Sequence, residues 1–146
     1  REFIKTHMPG IPASSVIPVC AKIEEELIEL PPAEAKELLN AVGIPESGLN
    51  AIIRQAYDLL NLMTYFTAGV QEVRAWQVPK GAKAPQAAGV IHTDFEKGFI
   101  KAEVIGYRDY VASGGEQQAK EKGLLRLEGK DYTVQDGDVM HFRFSS

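Results

Sequence analysis

The sequence predicts an α+β fold in which a helix packs across a mixed sheet, preceded by the end of an α/β domain. Two observations carry this prediction. From residue 61 onward, strand-like and helical segments follow one another as a hairpin, a helix and further strands. Residues 1–60 instead contain one short apolar run followed by three segments of helical periodicity. The later pattern is typical of the β-grasp (ubiquitin-like) architecture.

The apolar run at 16–19 predicts a buried strand, although Pro18 removes one ladder donor. A helix is predicted from about 22 to 30, and a second begins at Pro32 and ends near Gly43. Ser47 is placed to cap a third helix. The apolar side of this third helix consists of Leu49, Ile52, Ile53, Ala56, Tyr57 and Leu60.

A lone strand leaves its ladder groups unpaired, so the strand at 16–19 needs neighbours that this sequence does not supply. We therefore expect residues 1–40 to be the tail of an α/β domain whose front has been removed. Residues 41–60 are expected to form a connecting helix. The first residue is Arg1 rather than Met, and no signal-peptide pattern follows it, which also suggests a chain cut from a longer protein.

Two strands are predicted at 62–67 and 72–78, joined by a turn at Ala68 and Gly69. Pro85 then opens a helix. Candidates for burial in this helix are Ala87, Ala88, Val90 and Ile91.

The remaining strands are predicted at 99–105, 124–127, 132–134 and 139–144. Ser113 is placed to cap a short helix that runs through Lys122 and ends at Gly123. The sequence Asp136-Gly137-Asp138 predicts a turn before the last strand.

Composition excludes several classes of protein. With 45% apolar and 25% charged residues the chain has the balance of a soluble globular domain, and no apolar run approaches the length of a membrane span. Without such a run, no membrane is expected as a partner. The net charge of −4 argues against a strongly basic nucleic-acid binder, so DNA is not expected as a partner either. A single cysteine excludes an internal disulfide and fits a reducing, intracellular compartment.

The sequence contains no complete catalytic constellation: GxxxxGK[ST], HExxH and a Ser/His/acid order are all missing. His92, Asp94 and Glu96 would share a face of a strand, but the neighbouring Lys and Gly favour a polar turn over a metal site. His7 and His141 are isolated in the sequence. We therefore predict no catalytic residue and no metal ligand.

Basic and aromatic residues alternate early in the second half, which leaves two interpretations open. The basic residues are Arg74, Lys80, Lys83, Lys97 and Lys101, and the aromatic ones are Tyr65, Phe66, Trp76, Phe95 and Phe99. Such a mixture can bind RNA through phosphate contacts and base stacking. Because residues 61–146 are neutral overall, core aromatics with ordinary surface lysines are the favoured interpretation.

Several strings of sequence are more specific than these patterns, and with them the chain resembles the YchF-type Obg-like ATPases of the P-loop GTPase superfamily. They are YFTAG at 65–69, EVRAW at 72–76, KAPQAAGVIHTDFEKGF at 83–99, EGKDY at 128–132 and DGDV at 136–139. The resemblance covers nearly the whole chain.

The resemblance implies that residues 61–144 form a TGS domain, a β-grasp module, and that residues 1–40 are the tail of the Obg-type nucleotide-binding domain. Members of the family hydrolyse ATP in preference to GTP, depend on Mg²⁺ and associate with ribosomes. The parent protein is thus expected to be a cytoplasmic enzyme that uses ATP and Mg²⁺, with the ribosome or ribosomal RNA as its partner. No cofactor is expected for this chain alone.

One nucleotide-site motif carries over to this chain. Residues 19–22, VCAK, resemble the last purine-contacting loop of P-loop GTPases, whose usual form is Ser-Ala-Lys, with Cys20 in place of the serine. The resemblance implies that the backbone N–H of Ala21 faces the purine and that Lys22 belongs to the same loop. A thiol before a helix can also be reactive, although burial is the more common situation for a cysteine.

Three functions stay open at this level. The chain is a ribosome-docking part of an ATPase, a regulatory module that binds a small ligand or a protein, or a domain that closes over the nucleotide site of its own parent.

Overall fold

The computed structural model describes residues 6–7, 10–12 and 15–145. The backbone divides into two compact units, Arg1–Tyr57 and Asp58–Ser146. None of the helices in these described ranges combines the length and the apolar composition needed to span a bilayer.

The first unit is helical. Between residues 15 and 59 its helices are α1 (Ala21–Glu29), α2 (Pro32–Ala41) and α3 (Gly48–Leu59), the last of which ends just past the unit boundary. Pro32 is the first residue of α2, and the Ser47 hydroxyl accepts a hydrogen bond from the N–H of Asn50 at 3.2 Å. The carboxylate of Glu24 accepts a second one, at 2.7 Å, from the N–H of Gly48. The three predicted helices are therefore confirmed.

Residues 16–19, predicted as a strand whose neighbours lie outside this sequence, form no strand in this chain. Cys20 has extended backbone, and no strand in the described part of the chain pairs with the segment. Because a strand is defined by its ladder of hydrogen bonds, an extended segment without a neighbour does not become one. The apolar side of α3 is also largely exposed, including Leu49, Ile52 and Ile53.

The second unit is α+β, as predicted, and is built on one mixed sheet. The strands of the described residues are β1 (Leu62–Ala68), β2 (Val73–Pro79), β3 (Phe99–Gly106), β4 (Arg126–Glu128) and β5 (Asp138–Phe144). They lie in the order β2-β1-β5-β3-β4. The pairs are antiparallel except for the central pair β1–β5, which is parallel.

Four helices accompany the sheet in the described part of this unit. They are α4 (Ala84–Ile91), α5 (Thr93–Lys97), α6 (Tyr107–Ser113) and α7 (Glu116–Glu121). The α4 helix contributes Ala87 and Ala88 to the core, where both are fully buried, whereas Val90 is 44% exposed and does not take the buried position predicted for it. Small residues allow this helix to approach the sheet closely.

The core is centred on Tyr65 in β1, whose side chain is completely buried. Its hydroxyl donates a hydrogen bond of 2.8 Å to the carbonyl oxygen of Ala87, and its ring meets Phe142 of β5 edge-on at 5.9 Å. Tyr65 therefore joins the hairpin, the helix and the central strand in one contact.

The closing part of the chain differs from the prediction in two places. Residues 132–134 make only a single bridge, between Lys83 and Thr133, and the strand predicted at 124–127 is instead the short β4. Ser113 ends α6, a helix absent from the prediction, and α7 starts after Gly115, whose φ of 131° few other residues adopt. The predicted hairpin, third strand and final strand are confirmed.

Candidate functional site

The segment predicted to contact a purine forms the start of α1. Cys20 occupies the N-cap position with extended backbone (φ −101°, ψ 103°), and Ala21 and Lys22 form the first turn. The carbonyl of Cys20 accepts the first helical bond from Glu24, but no side chain in the described residues caps the first-turn N–H groups. Cys20 is exposed, which corrects the expectation that it is buried.

Arg74 and Trp76 form a stacked pair on the edge strand β2. The guanidinium carbon of Arg74 lies 4.2 Å from the centre of the indole ring, a cation–π arrangement. The indole N–H donates to the hydroxyl of Thr67 at 2.9 Å, which fixes the orientation of the ring. The result is a flat guanidinium surface next to solvent, with the carboxylate of Glu72 beside it.

Three of the predicted basic residues have partners within the unit itself. A guanidinium nitrogen of Arg74 lies 3.8 Å from a carboxylate oxygen of Glu72, in an exposed ion pair. The ammonium of Lys80 lies 2.7 Å from a carboxylate oxygen of Asp58. The ammonium of Lys83 donates to the carbonyl of Asp131 at 2.8 Å and to the hydroxyl of Thr133 at 2.9 Å. The hydrogen bonds of Lys83 therefore connect the loop that follows β4 to the start of α4.

Lys97 and Lys101 are different, because neither makes an ion pair or a hydrogen bond from its side chain within the described residues. Lys97 is the last residue of α5, and Lys101 lies opposite Arg143 in the β3–β5 pair. Arg74 lies in β2, and Lys80 follows the last residue of that strand, six positions further on, a distance of about 20 Å in an extended chain. The five predicted basic residues therefore do not form one patch.

Lys97 borders an open apolar groove at one end of the sheet. Two adjoining depressions, of about 870 and 590 Å³, share Ile91, Phe95 and Phe144 in their walls. The rings of Phe95 and Phe144 stack with centroids 3.8 Å apart. The predicted polar turn at 92–96 is wrong, since residues 93–97 form the short helix α5. His92 is the N-cap of this helix, and its ring nitrogen Nδ1 accepts a hydrogen bond from the N–H of Asp94 at 3.2 Å.

Some of the aromatic residues fit the interpretation as core residues, and others fit the interpretation as a surface on which RNA bases can stack. Tyr65 and Phe99 are buried in the core, whereas Phe66, Trp76 and Phe95 are only partly buried. The partly buried rings are therefore accessible for contact with a partner.

A buried acid organises the turn before β5, which the sequence did not indicate beyond its turn residues. Asp138, 3% exposed, accepts hydrogen bonds from the hydroxyl of Tyr132 at 2.6 Å and from the N–H of Gln135 at 2.8 Å. The guanidinium of Arg126 lies 3.5 Å from the other oxygen of Asp138 and bonds the Tyr132 hydroxyl at 3.0 Å. This network ties β4 and β5 to the intervening loop.

Alkaline pH is expected to destabilise the second unit through two tyrosines. Burial raises the pKa of Tyr65 above its ordinary value of 10.0. The pKa of Tyr132 is raised to about 12, mainly by burial and to a smaller extent by the hydrogen bond to Asp138. Their contribution to stability is fully present below pH 10.0. Above it the unfolded chain releases protons that the folded chain keeps, so the free energy of unfolding falls by up to about 1.4 kcal/mol per pH unit for Tyr65 and by less for the more exposed Tyr132.

Urea unfolding measured from neutral pH to about two units above the ordinary tyrosine pKa checks this expectation. Tyr65→Phe and Tyr132→Phe should each flatten the alkaline decline. An equally steep decline in Tyr65→Phe would contradict the assignment.

The second unit combines a mixed five-stranded α+β sheet with an exposed surface of aromatic and basic side chains. Residues 62–145 match the family model YchF-GTPase_C, described as "Protein of unknown function (DUF933)". The match covers more than half of the chain, and the chain belongs to this family.

Two relatives illustrate the likeness in sequence. The chain is 66% identical over 130 residues to the ribosome-binding ATPase YchF of Haemophilus influenzae, which covers 89% of this chain and 36% of that protein. It is 59% identical over 132 residues to the protein of the same name from Escherichia coli O157:H7, covering 90% of the chain and 36% of the relative. The chain thus spans about a third of the length of these relatives.

A solved structure shows the same likeness in three dimensions. The Schizosaccharomyces pombe YchF GTPase superimposes with a TM-score of 0.74 at 39% identity, covering 97% of this chain and 36% of that one.

Proposed function

We propose that the chain is the C-terminal part of a cytoplasmic, ribosome-associated, Mg²⁺-dependent P-loop ATPase of the Obg-like family that prefers ATP to GTP. In this proposal residues 61–144 are a β-grasp TGS domain that docks on the ribosome or its RNA. Residues 1–40 are the tail of the nucleotide-binding domain, residues 41–60 connect the two, and the first turn of α1 faces the purine. The observation that carries the proposal is the identity of 59–66% to relatives named ribosome-binding ATPases, over 89–90% of this chain.

The surface of the second unit supports docking on RNA in physical terms. The Arg74–Trp76 pair offers a flat cationic face on which a base can stack. Lys97 and Lys101 keep their charges free of internal partners within the described residues, so they can neutralise phosphates without breaking a contact of the fold. Neither feature requires the chain to be basic overall.

Binding of the chain to purified ribosomes across a salt series tests the proposal. We expect saturable binding that the double variant Lys97→Glu/Lys101→Glu weakens by at least about tenfold, because two attractive phosphate contacts become repulsive. The dependence of log K on log salt should also become shallower by about 0.7–0.9 for each phosphate that the variant no longer neutralises.

The matched control is Lys120→Glu/Lys122→Glu, which makes the same change of charge at and just after the end of α7. Lys83 is not a suitable target, since its replacement also breaks the bonds to Asp131 and Thr133. Equal weakening of ribosome binding in the two double variants would mean that only net charge matters, and it would contradict a docking surface at Lys97 and Lys101.

The apolar groove favours a second candidate function, a regulatory module that binds a small ligand or a protein. Its shared wall of Ile91, Phe95 and Phe144 offers hydrophobic contact with few charges. Under this alternative, ribosome binding is absent at low salt, and any partner binds with little salt dependence. The salt series therefore separates the two functions.

A further inference from the structure

A third group of side chains converges on the face of the sheet that α6 and α7 partly cover. Glu103 of β3 and His141 of β5 are direct partners in the antiparallel register, so their side chains leave the same face of the sheet. Glu116, the first residue of α7, reaches the same place. One ligand atom from each of the three residues lies within 4.8 Å of the other two.

The geometry points to a site for a divalent transition-metal ion held by Glu103, Glu116 and His141. The donor set is one imidazole nitrogen and two carboxylates, which suits Zn²⁺ and its neighbours, whereas Mg²⁺ and Ca²⁺ prefer oxygen ligands alone. Because the ligand atoms come from two strands and a helix, the site is built by the tertiary fold and not by a local run of acids.

A small cavity lies beside these side chains. They border a cavity of about 10 Å³, whose other walls include Tyr110, Ile105 and Val139. A cavity of this size is at the lower limit for one water molecule. An ion at the centre of an equilateral triangle with 4.8 Å sides would be about 2.8 Å from each corner, and small side-chain rotations shorten this to the usual 2.0–2.2 Å.

Arg143 is expected to lower the affinity of the site for a cation. Its guanidinium lies 3.2 Å from one carboxylate oxygen of Glu103. This arrangement orients Glu103, but it also places a positive charge beside the cation. We therefore infer a site of moderate affinity whose binding competes with the ion pair.

Isothermal titration of the tag-free chain with Zn²⁺ tests the site, in a Cys20→Ser background because the exposed thiol is itself a zinc ligand. We expect one ion per chain and a dissociation constant that His141→Gln and Glu116→Gln each raise by about tenfold or more. His92→Gln, at another exposed histidine, is the matched control and should bind as the parent does. Equal affinity in the parent and in His141→Gln would overturn the assignment.

Two further measurements keep the test independent of folding. Removing the competing charge with Arg143→Gln should tighten Zn²⁺ binding by about two- to fivefold, a gain that a damaged fold would not give. Mg²⁺ should bind at least about tenfold more weakly than Zn²⁺. If Mg²⁺ bound as well as Zn²⁺, or if Arg143→Gln bound more weakly, the imidazole–carboxylate site would be wrong.

Discussion

Replacement of Tyr65 by alanine is expected to lower the free energy of unfolding of the second unit by about 3–5 kcal/mol, the largest effect that we expect from a single substitution in this chain. The ring is completely buried between the hairpin, α4 and β5, so its removal leaves a cavity that the surrounding strands cannot close. Urea unfolding followed by far-UV circular dichroism measures the decrease.

Tyr65→Phe separates packing from hydrogen bonding at the same position. It keeps the edge-on contact with Phe142 and removes only the hydroxyl, whose bond to the Ala87 carbonyl is worth about 1 kcal/mol. A decrease in Tyr65→Phe as large as in Tyr65→Ala would mean that the hydrogen bond, and not the ring, organises the core.

The second large effect is expected at Asp138, whose replacement by alanine should cost about 1.5–3 kcal/mol. The carboxylate is the common acceptor for the Tyr132 hydroxyl and the Gln135 N–H, and its removal leaves both donors near the core without their partner. Arg126 is also deprived of its nearest buried counter-charge. Denaturant unfolding of Asp138→Ala at neutral pH checks this value.

Asp136 provides a matched control two residues away in the same turn. It also accepts a backbone hydrogen bond, from Thr64 at 2.9 Å, but its side chain is exposed and water can replace it. Asp136→Ala should therefore cost less than half as much as Asp138→Ala. Comparable costs at the two positions would show that the turn, and not the buried network, determines the stability.

The sequence predicted those elements whose pattern is local. The β1–β2 hairpin follows from strand-like runs on both sides of a Gly-containing turn, and α4 follows from Pro85 ahead of small apolar residues. The α6 helix was missed because its start is fixed by a distant contact, the bond from the Tyr107 N–H to the Gly137 carbonyl at 2.9 Å. Residues 16–19 form no strand in this chain, because apolar composition alone supplies no pairing partner.

The candidate site was predicted less completely than the fold, since its residues meet only through strand order. Lys101 lies on β3, which two strands separate from β2 and Arg74. Glu103 and His141 are 38 positions apart in the sequence and become neighbours only through the β3–β5 register. A list of basic or acidic residues does not show which of them become neighbours in the sheet. The hydrogen-bond partners of Asp138 could not be predicted for the same reason.

The position of β5 has a consequence for how the unit forms. The strand is the last of the sheet in chain order, yet it lies between β1 and β3 in the middle. Pairing Phe66 with Val139 closes a loop of about 70 residues, at an entropic cost of about 4 kcal/mol. Such a high contact order favours slow folding, in which the β1–β2 hairpin forms early and the sheet closes last. During synthesis the β1–β2 and β3–β4 pairs cannot join into one sheet until β5 has left the ribosome, and the edges of β1 and β3 stay unpaired until then.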